Sequence, residues 1–410
     1  MGNEAIGPEG TVVIVGASLA GLRTAEALRR DGFEGAITLI GDESHPPYDR
    51  PPLSKQLLSG KFEHDKVILA DLDKLAELKV TAHLGKAATS LDVATKTVTL
   101  SGGETISGDA VVLATGCSLR HLPGTEGLDH VHGLRTLDDA DRLKADLDSL
   151  EPGAKVVLIG AGFIGQEVAT EAHRRELDVT ILEGLDLPLS PIVGHAIGAM
   201  LRSMIPAEVH LHTGVQVAGI ETADGVRAGR VFLSSGEHFD ADLIVVGIGV
   251  RPNVGWLEGS GLSIDNGIVC DERLFAAPGI LAVGDVANFH WTSGGHDEQI
   301  RIEHWQVAVD HASQASKSIL EGDAADPLDL LPYFWSDVWG KKIQVLGHPT
   351  GADEATVVIE PDEAGKFLAI YGNGEKFTGV LGVSKPAQLM GYRALLVAGA
   401  TMDEARAVGQ

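Results

Sequence analysis

The sequence predicts an α/β protein with two doubly wound halves and a smaller α+β domain at its C-terminal end. Two glycine-rich turns, each set between a buried apolar run and a stretch of helical period, predict the halves. A switch to alternating apolar residues beyond residue 332 predicts the third part. With 410 residues and 44% hydrophobic composition, the chain can bury more than one core.

The first half opens with TVVIVGASLAGLRTAEALRRDGF: an apolar strand, a turn and a helix. AITLIGDE follows as a second buried strand ending in acid. In such a βαβ unit Gly16 permits the tight turn and Gly21 allows close helix packing. The helix start presents unpaired N–H groups to a pyrophosphate. Asp42 and Glu43 arrive about 20 residues later, where a carboxylate accepts ribose hydroxyls. Ser18 replaces the middle glycine of the GxGxxG pattern, where backbone and phosphate approach most closely.

The motif returns in KVVLIGAGFIGQEVATEAHRRELDVTILEG, with Gly160, Gly162 and Gly165 in unbroken GxGxxG form around Phe163 and Ile164. Two such units about 145 residues apart imply two dinucleotides on one chain, hence a pair of Rossmann-like domains. Glu183 ends the following strand, where it would pair with a free 2′-hydroxyl and repel a 2′-phosphate. GLDLPLS after it supplies no Arg and adds Asp186, so NADH is expected over NADPH.

AVVLATG, LIVVGIGVRPN and GILAVGDVANF read as further buried strands, delivering Thr115, Gly116, Gly249 and Asp285 at the ligand-binding ends of the sheets. For Asp285 a plain helix cap is the competing reading. LEGDAADPLDLLP is an acidic, proline-punctuated linker. The strands YFWSDVWGKKIQVLG, EATVVIEP, KFLAIYG and FTGVLGV then alternate like an antiparallel sheet, and PAQLMGYRALLVAG closes with a helix, giving a third domain of about 80 residues.

Composition excludes several functions. With 58 Asp and Glu against 32 Lys and Arg, the formal charge of −26 argues against nucleic acid or anionic lipid as a partner. No apolar run approaches the ~18 residues of a membrane span. The start MGNEAIGPEG lacks a basic, then apolar, leader, so a soluble cytoplasmic protein with a short loose N-terminus is expected. Cys117 and Cys270 can form neither a CxxC pair nor a zinc cluster. His210 and His212 share one strand face in VHLH, a structural feature without further ligands in sequence, so no metal is expected.

The paired glycine motifs, ATG, GDVA, PYDRPPLSK, RIEHWQVA and PYFWSD, in that family's order, resemble the FAD-dependent, NADH-dependent ferredoxin reductases of bacterial oxygenase systems, of the putidaredoxin reductase and biphenyl dioxygenase reductase type. The resemblance covers nearly the whole chain. It implies a glutathione-reductase-like architecture: FAD in a discontinuous domain of residues 1–115 and 245–325, NADH in residues 116–244, and a C-terminal domain, 326–410, that packs over the flavin and helps to shape a docking surface for a small iron–sulfur protein.

In the disulfide reductases of related fold, a cysteine soon after the first nucleotide unit works beside the flavin. Here the corresponding helix would begin near Leu53 and supplies Lys55, and no Cys precedes Cys117. A cation near flavin N5 and O4 stabilises negative charge on the reduced flavin. The resemblance also puts Glu167 close to the nicotinamide, where it could pair with Lys55. A surface lysine and a buried structural carboxylate are the plainer alternatives. Arg50 would contact FAD phosphate or brace the loop, which Pro46, Pro47, Pro51 and Pro52 stiffen. By the same resemblance Ala20 lies at the pyrophosphate turn, Ala88 gives a backbone contact to adenine, Arg135 matches a flavin-site arginine, and Trp305 begins a helix facing the flavin pyrimidine ring. A direct redox role beside the flavin is the catalytic expectation for Trp305, and the same role is open to Trp335, with packing as the competing role for both.

The implied activity is hydride transfer from NADH to FAD, then single-electron transfer to a two-iron, two-sulfur ferredoxin serving a haem monooxygenase or ring-hydroxylating dioxygenase. Monomer or weak dimer is the expected state. Arg301, Lys317, Lys341, Lys342, Lys385 and Arg393 are the docking cations, each also explicable as a solvated charge. Rubredoxin reductase is the neighbouring enzymatic reading, and a non-enzymatic FAD- and NADH-binding signalling protein is the alternative from another class.

Overall fold

The structure is a computed structural model that describes residues 2–125, 127–222 and 228–408. Two compact units emerge from the chain's internal contacts. One comprises Met1–Asp49, Val67–Ser118 and Arg251–Pro332; the other Arg50–Lys66, Leu119–Val250 and Tyr333–Gln410.

The first unit is organised by a six-stranded sheet in the order Phe275–Ala277, Ile280–Ala282, Ala110–Leu113, Thr11–Val15, Ala36–Ile40, Val80–His83. All neighbours run parallel except the first pair. Ala110–Leu113 is buried at every position, which is why that run is unbroken in apolar residues. Helices Leu19–Arg30 and Trp305–Glu321 pack together. Gly16 adopts φ +124, and a Cβ there would lie 2.1 Å from the carbonyl oxygen of Ala114, so neither the backbone nor the space admits a side chain. At Gly21 a Cβ would meet the Gly16 carbonyl oxygen at 1.9 Å.

The N-terminus is not loose. Ile6 N–H donates to the Ile319 carbonyl at 2.8 Å, and Asn3 donates from its backbone and its side chain to Asp323. The polar composition of MGNEAIGPEG hides this, because the tether is made largely by backbone groups that every residue carries.

The second unit holds a five-stranded parallel sheet in the order His210–His212, Asp178–Leu182, Lys155–Ile159, Leu243–Val246, Val131–His132. Gly160 repeats the geometry of Gly16: φ is +103 and a Cβ would meet the Gly247 carbonyl oxygen at 2.2 Å. The helix Phe163–Arg174 follows. The segment around Lys55 is one turn of π-helix, Leu53–Leu57. It packs against Phe163–Arg174, and Arg175 Nη2 donates to the Leu58 carbonyl at 2.7 Å.

Residues 333 onward in this unit form an antiparallel sheet in the order Tyr333–Val338, Lys341–Gly347, Lys376–Val383, Leu368–Asn373, Glu354–Ile359. One of its faces shares a core with Val193, Ile197 and Leu201 of the helix Ser190–Arg202, which kinks at Gly194 with φ +74. The Tyr371 hydroxyl donates to the Val193 carbonyl at 3.0 Å beside that kink. The single closing helix expected from PAQLMGYRALLVAG is two short ones, Pro386–Met390 and Arg393–Val397, separated at Gly391 and the buried Tyr392.

Candidate functional site

In the second unit the helix after the intact glycine turn carries Glu167, whose side chain is 2% exposed. Three donors converge on its carboxylate. Lys55 Nζ lies 2.9 Å from Oε1, the Ser336 hydroxyl donates to Oε1 at 2.5 Å, and the Ser54 hydroxyl donates to Oε2 at 2.5 Å. Lys55 Nζ also reaches the Pro51 carbonyl at 3.2 Å. An ionised carboxylate at this depth requires such compensation, since an isolated buried charge is strongly disfavoured. The structure thus brings Lys55 and Glu167 together, and adds two serines that spacing alone does not single out.

Around the same turn, Glu183 accepts from the Ala161 N–H at 2.6 Å through Oε2 and from the Leu185 N–H at 2.8 Å through Oε1. The acid is therefore fixed against the glycine turn, at the end of its strand. At Gly162 a Cβ would meet nothing within 4 Å, and no side chain caps the helix that starts there. An open, uncapped helix N-terminus of this kind suits a pyrophosphate. Ile164 is 46% exposed beside it, and Phe163 packs edge-on to Phe334 at 5.2 Å. Gly249, with φ +93, accepts from the Arg120 N–H through its carbonyl at 3.0 Å. Arg50 donates to the Arg135 carbonyl at 2.5 Å, so the proline-stiffened loop is braced to the segment before the helix Leu137–Ser149.

In the first unit Ser18 is the N-cap of Leu19–Arg30, in extended conformation and without a side-chain cap bond. Any residue adopts that backbone, so a serine there places a hydroxyl at the helix start without strain. A Cβ on Gly284 would lie 3.0 Å from the Ala20 Cβ, so the turn bearing Asp285 abuts the same helix start. Gly284 N–H donates to His311 Nδ1 at 3.2 Å. His311 is wholly buried, and desolvation pulls its pKa from 6.5 to about 3. Asp285 does not cap an α-helix; it sits in the short 3-10 turn Gly284–Val286.

Thr115 and Gly116 are held by a residue the sequence analysis did not pick out. Asn253 donates through Nδ2 to the Thr115 carbonyl at 2.9 Å, and its N–H donates to the Gly116 carbonyl at 2.9 Å. It accepts from the Ser118 hydroxyl at 2.7 Å and from the Thr115 hydroxyl at 2.9 Å. The sequence signal was the RPN end of a strand-like run, which carried no chemical label. Glu43 accepts from the Tyr48 hydroxyl, while Asp42 is exposed and accepts from the Glu43 N–H. Trp305 begins its helix as expected and donates through Nε1 to Asp49 at 2.8 Å. Ala88 starts the edge strand Ala88–Asp92.

Among the docking cations, Arg301 is turned inward: 11% of its side chain is exposed, and it contacts Glu303, the Asp285 carbonyl and the Cys117 thiol. Lys317, Lys342 and Arg393 are exposed, while Lys341 and Lys385 are half-buried. Lys342 pairs with Asp337 and Lys385 with Asp362. Both cysteines are buried and outside disulfides. His210 pairs with Asp178 at 3.5 Å, and no group of potential metal ligands occurs among the described residues. Among them, too, no helix is long and apolar enough to cross a membrane.

The chain is similar to known proteins over most of its length. Residues 10–312 match the pyridine nucleotide-disulphide oxidoreductase family and residues 333–410 the reductase C-terminal family. The chain is 39% identical to the ferredoxin–NAD(+) reductase subunit of a benzene 1,2-dioxygenase system from Pseudomonas putida, over 84% of this chain and 82% of that protein. It is 34% identical to putidaredoxin reductase of Pseudomonas putida, over 92% of this chain and 89% of that one. The crystal structure of a covalent putidaredoxin reductase–putidaredoxin complex superposes with a TM-score of 0.88 at 32% identity, covering 95% of this chain and 93% of the other.

Proposed function

The chain belongs to the pyridine nucleotide-disulphide oxidoreductase family, in its branch of ferredoxin–NAD(+) reductases, and from that premise we propose that it is an NADH-dependent ferredoxin reductase that passes electrons through FAD to a two-iron, two-sulfur ferredoxin. The downstream enzyme is a haem monooxygenase or a ring-hydroxylating dioxygenase. The observation that carries this reading is the buried Lys55–Glu167 pair beside an intact dinucleotide turn, in a chain whose first cysteine is Cys117.

When bound, FAD supplies a two-electron acceptor that releases electrons one at a time. The remaining work falls to this chain's own residues. We assign Gly16, Ser18, Ala20, Gly21, Asp42, Glu43, Ala88, Thr115, Gly116, Asp285 and Trp305 to holding FAD, with Arg50 and Arg135 as further contributors. Gly160, Gly162, Phe163, Ile164, Gly165, Glu183 and Gly249 hold NADH. In this scheme residues 1–115 and 245–325 form the FAD domain, 116–244 the NAD domain and 326–410 the C-terminal domain. Lys55 provides a fixed positive charge for hydride transfer, and Glu167 keeps that charge in place where little solvent competes.

A thiol relay to a disulfide substrate finds no cysteine on the Lys55 turn. Each unit carries exposed cations, Lys317 in the first and Lys342 and Arg393 in the second, and we assign them as docking contacts for an acidic ferredoxin on a chain whose net charge is −26. Anaerobic titration with NADH, then stopped-flow mixing with a two-iron ferredoxin, tests the assignment. Flavin bleaching followed by rapid ferredoxin reduction is expected; bleaching with no onward transfer to ferredoxin or rubredoxin overturns it in favour of a binding or signalling role.

A further inference from the structure

The carboxylate of Glu167 is held by more than its ion pair. A lysine ammonium is a point charge on a flexible stem and leaves the orientation of a carboxylate undetermined. Two hydroxyls from separate elements remove that freedom: Ser54 on Oε2 and Ser336 on Oε1, each at 2.5 Å. Ser54 comes from the Lys55 turn itself, whereas Ser336 comes from the C-terminal sheet, 169 residues away in sequence from the glutamate it binds.

Ser336 is itself rigid. Its residue is 1% exposed, and it lies opposite Ile343 in the antiparallel ladder. Alternation along the strand puts Phe334, Ser336 and Val338 on one face. The strand and the turn after it are fastened to the helix Phe163–Arg174 on either side of Glu167. Phe334 packs on Phe163 toward the N-terminal end. Trp339, in the turn after the strand, donates through its N–H to Thr170 Oγ1 beyond Glu167 and through Nε1 to Gln166 Oε1 just before it, both at 3.1 Å. Tyr333 and Trp335 stack on the strand's opposite face.

We propose that Ser336 is a positioning residue for hydride transfer: its hydroxyl, together with that of Ser54, locks the Glu167 carboxylate in the orientation in which Oε1 meets Lys55. The C-terminal sheet thereby completes the charge arrangement on the NADH side and does more than cover it. This rests on the assignment of Lys55 and Glu167 to hydride transfer.

Three variants of the FAD-loaded enzyme test it: Ser336→Ala, Ser336→Thr, which keeps the hydroxyl, and Lys55→Met. Loss of one hydrogen bond to a charged group is expected to slow flavin bleaching by NADH about ten-fold in S336A, while delivery of electrons from pre-reduced enzyme to ferredoxin changes by less than about two-fold. S336T is expected to restore bleaching. A second readout is independent of turnover: Lys55 should be acetylated faster by an amine-reactive ester in S336A than in wild type or S336T, followed by peptide mass. Equal bleaching and equal Lys55 labelling in S336A and wild type overturn the proposal. So does a uniform slowing of both half-reactions that S336T does not rescue, since that marks a merely structural serine. If K55M bleaches at the wild-type rate, the assignment of Lys55 fails first. If K55M is slow and S336A is not, only the role of Ser336 fails. Adding S336A to K55M should change bleaching no further, and an additive loss also counts against the proposal.

Discussion

Oε1 of Glu167 stands 2.9 Å from Nζ of Lys55, with only 2% of the glutamate side chain and 12% of the lysine side chain exposed. Charges at that depth have surrendered most of their hydration, so each depends on the other and on the serine hydroxyls and Pro51 carbonyl that also reach them. Removing one partner of a buried pair costs about 3–5 kcal/mol, whereas replacing both is often close to neutral. K55M is therefore expected to lower stability by about 3 kcal/mol and to slow flavin reduction. K55M combined with E167Q should recover much of the stability and none of the rate. Denaturant unfolding and stopped-flow reduction, run on the same preparations, separate the two effects. A K55M protein as stable and as fast as wild type would remove the pair from both roles.

Glu183 binds the Ala161 and Leu185 N–H groups with its two oxygens, which leaves a negative charge at the end of the strand where a 2′-phosphate would arrive. Replacing it by glutamine keeps an acceptor and removes the charge. The ratio of kcat/KM for NADH over NADPH should fall about ten-fold or more in E183Q, chiefly by relief of repulsion against the phosphate. An unchanged ratio would assign cofactor choice to other residues.

Asn253 closes around Thr115, Gly116 and Ser118 with hydrogen bonds of 2.7–2.9 Å. Truncation to alanine leaves the Thr115 carbonyl and the Ser118 hydroxyl without that side chain, a loss of about 1–3 kcal/mol. N253A is expected to release FAD more readily on dilution or mild chaotrope treatment, read as recovered flavin fluorescence. Retention equal to wild type would show that the turn holds its shape unaided.

His311 and His132 both have pKa values lowered by burial, His311 to about 3 from 6.5. In the unfolded chain each takes a proton near pH 6.5; in the folded chain His311 does not until about pH 3. The unfolded state thus binds more protons across that window. Stability present above pH 6.5 is lost as the pH falls, by up to about 1.4 kcal/mol per pH unit for one such histidine. Thermal melts between pH 7 and pH 4 should show a shallower decline for H311Q than for wild type. Parallel curves would mean that His311 is protonated in the folded state.

The glycine turns were legible because their constraint is steric and local. Gly16 and Gly160 each combine positive φ with a carbonyl oxygen about 2 Å from any Cβ, and no other residue type satisfies both conditions. The C-terminal sheet was legible as short apolar runs set between turn residues, although its central strands are buried at consecutive positions and do not alternate. Lys55 and Glu167 came forward through family resemblance. Their serine partners did not, because a serine hydroxyl has no spacing rule: Ser54 and Ser336 stand 113 and 169 residues from Glu167. Asn253 and His311 stayed hidden for the same reason. Arg301 counted as a docking cation only while its burial against Glu303 and Cys117 was out of sight.

The first sheet is completed when Ile280–Ala282 pairs with Ala110–Leu113, strands on the order of 170 residues apart in sequence. During synthesis, at ~5–20 residues per second, the edge of Ala110–Leu113 waits roughly ten to thirty seconds for its neighbour. Late in that interval Leu243–Val246, the strand that joins Lys155–Ile159 to Val131–His132, is made, and the parallel sheet within Leu119–Val250 can then close before Ile280–Ala282 appears. The inserted parallel sheet thus closes before its host sheet, while the sheet from residue 333 onward, which shares a core with the helix Ser190–Arg202, is still to be made. The vulnerable species on the ribosome is a folded module flanked by an open apolar strand edge, and slower growth or a chaperone that shields such edges should raise the yield of intact protein.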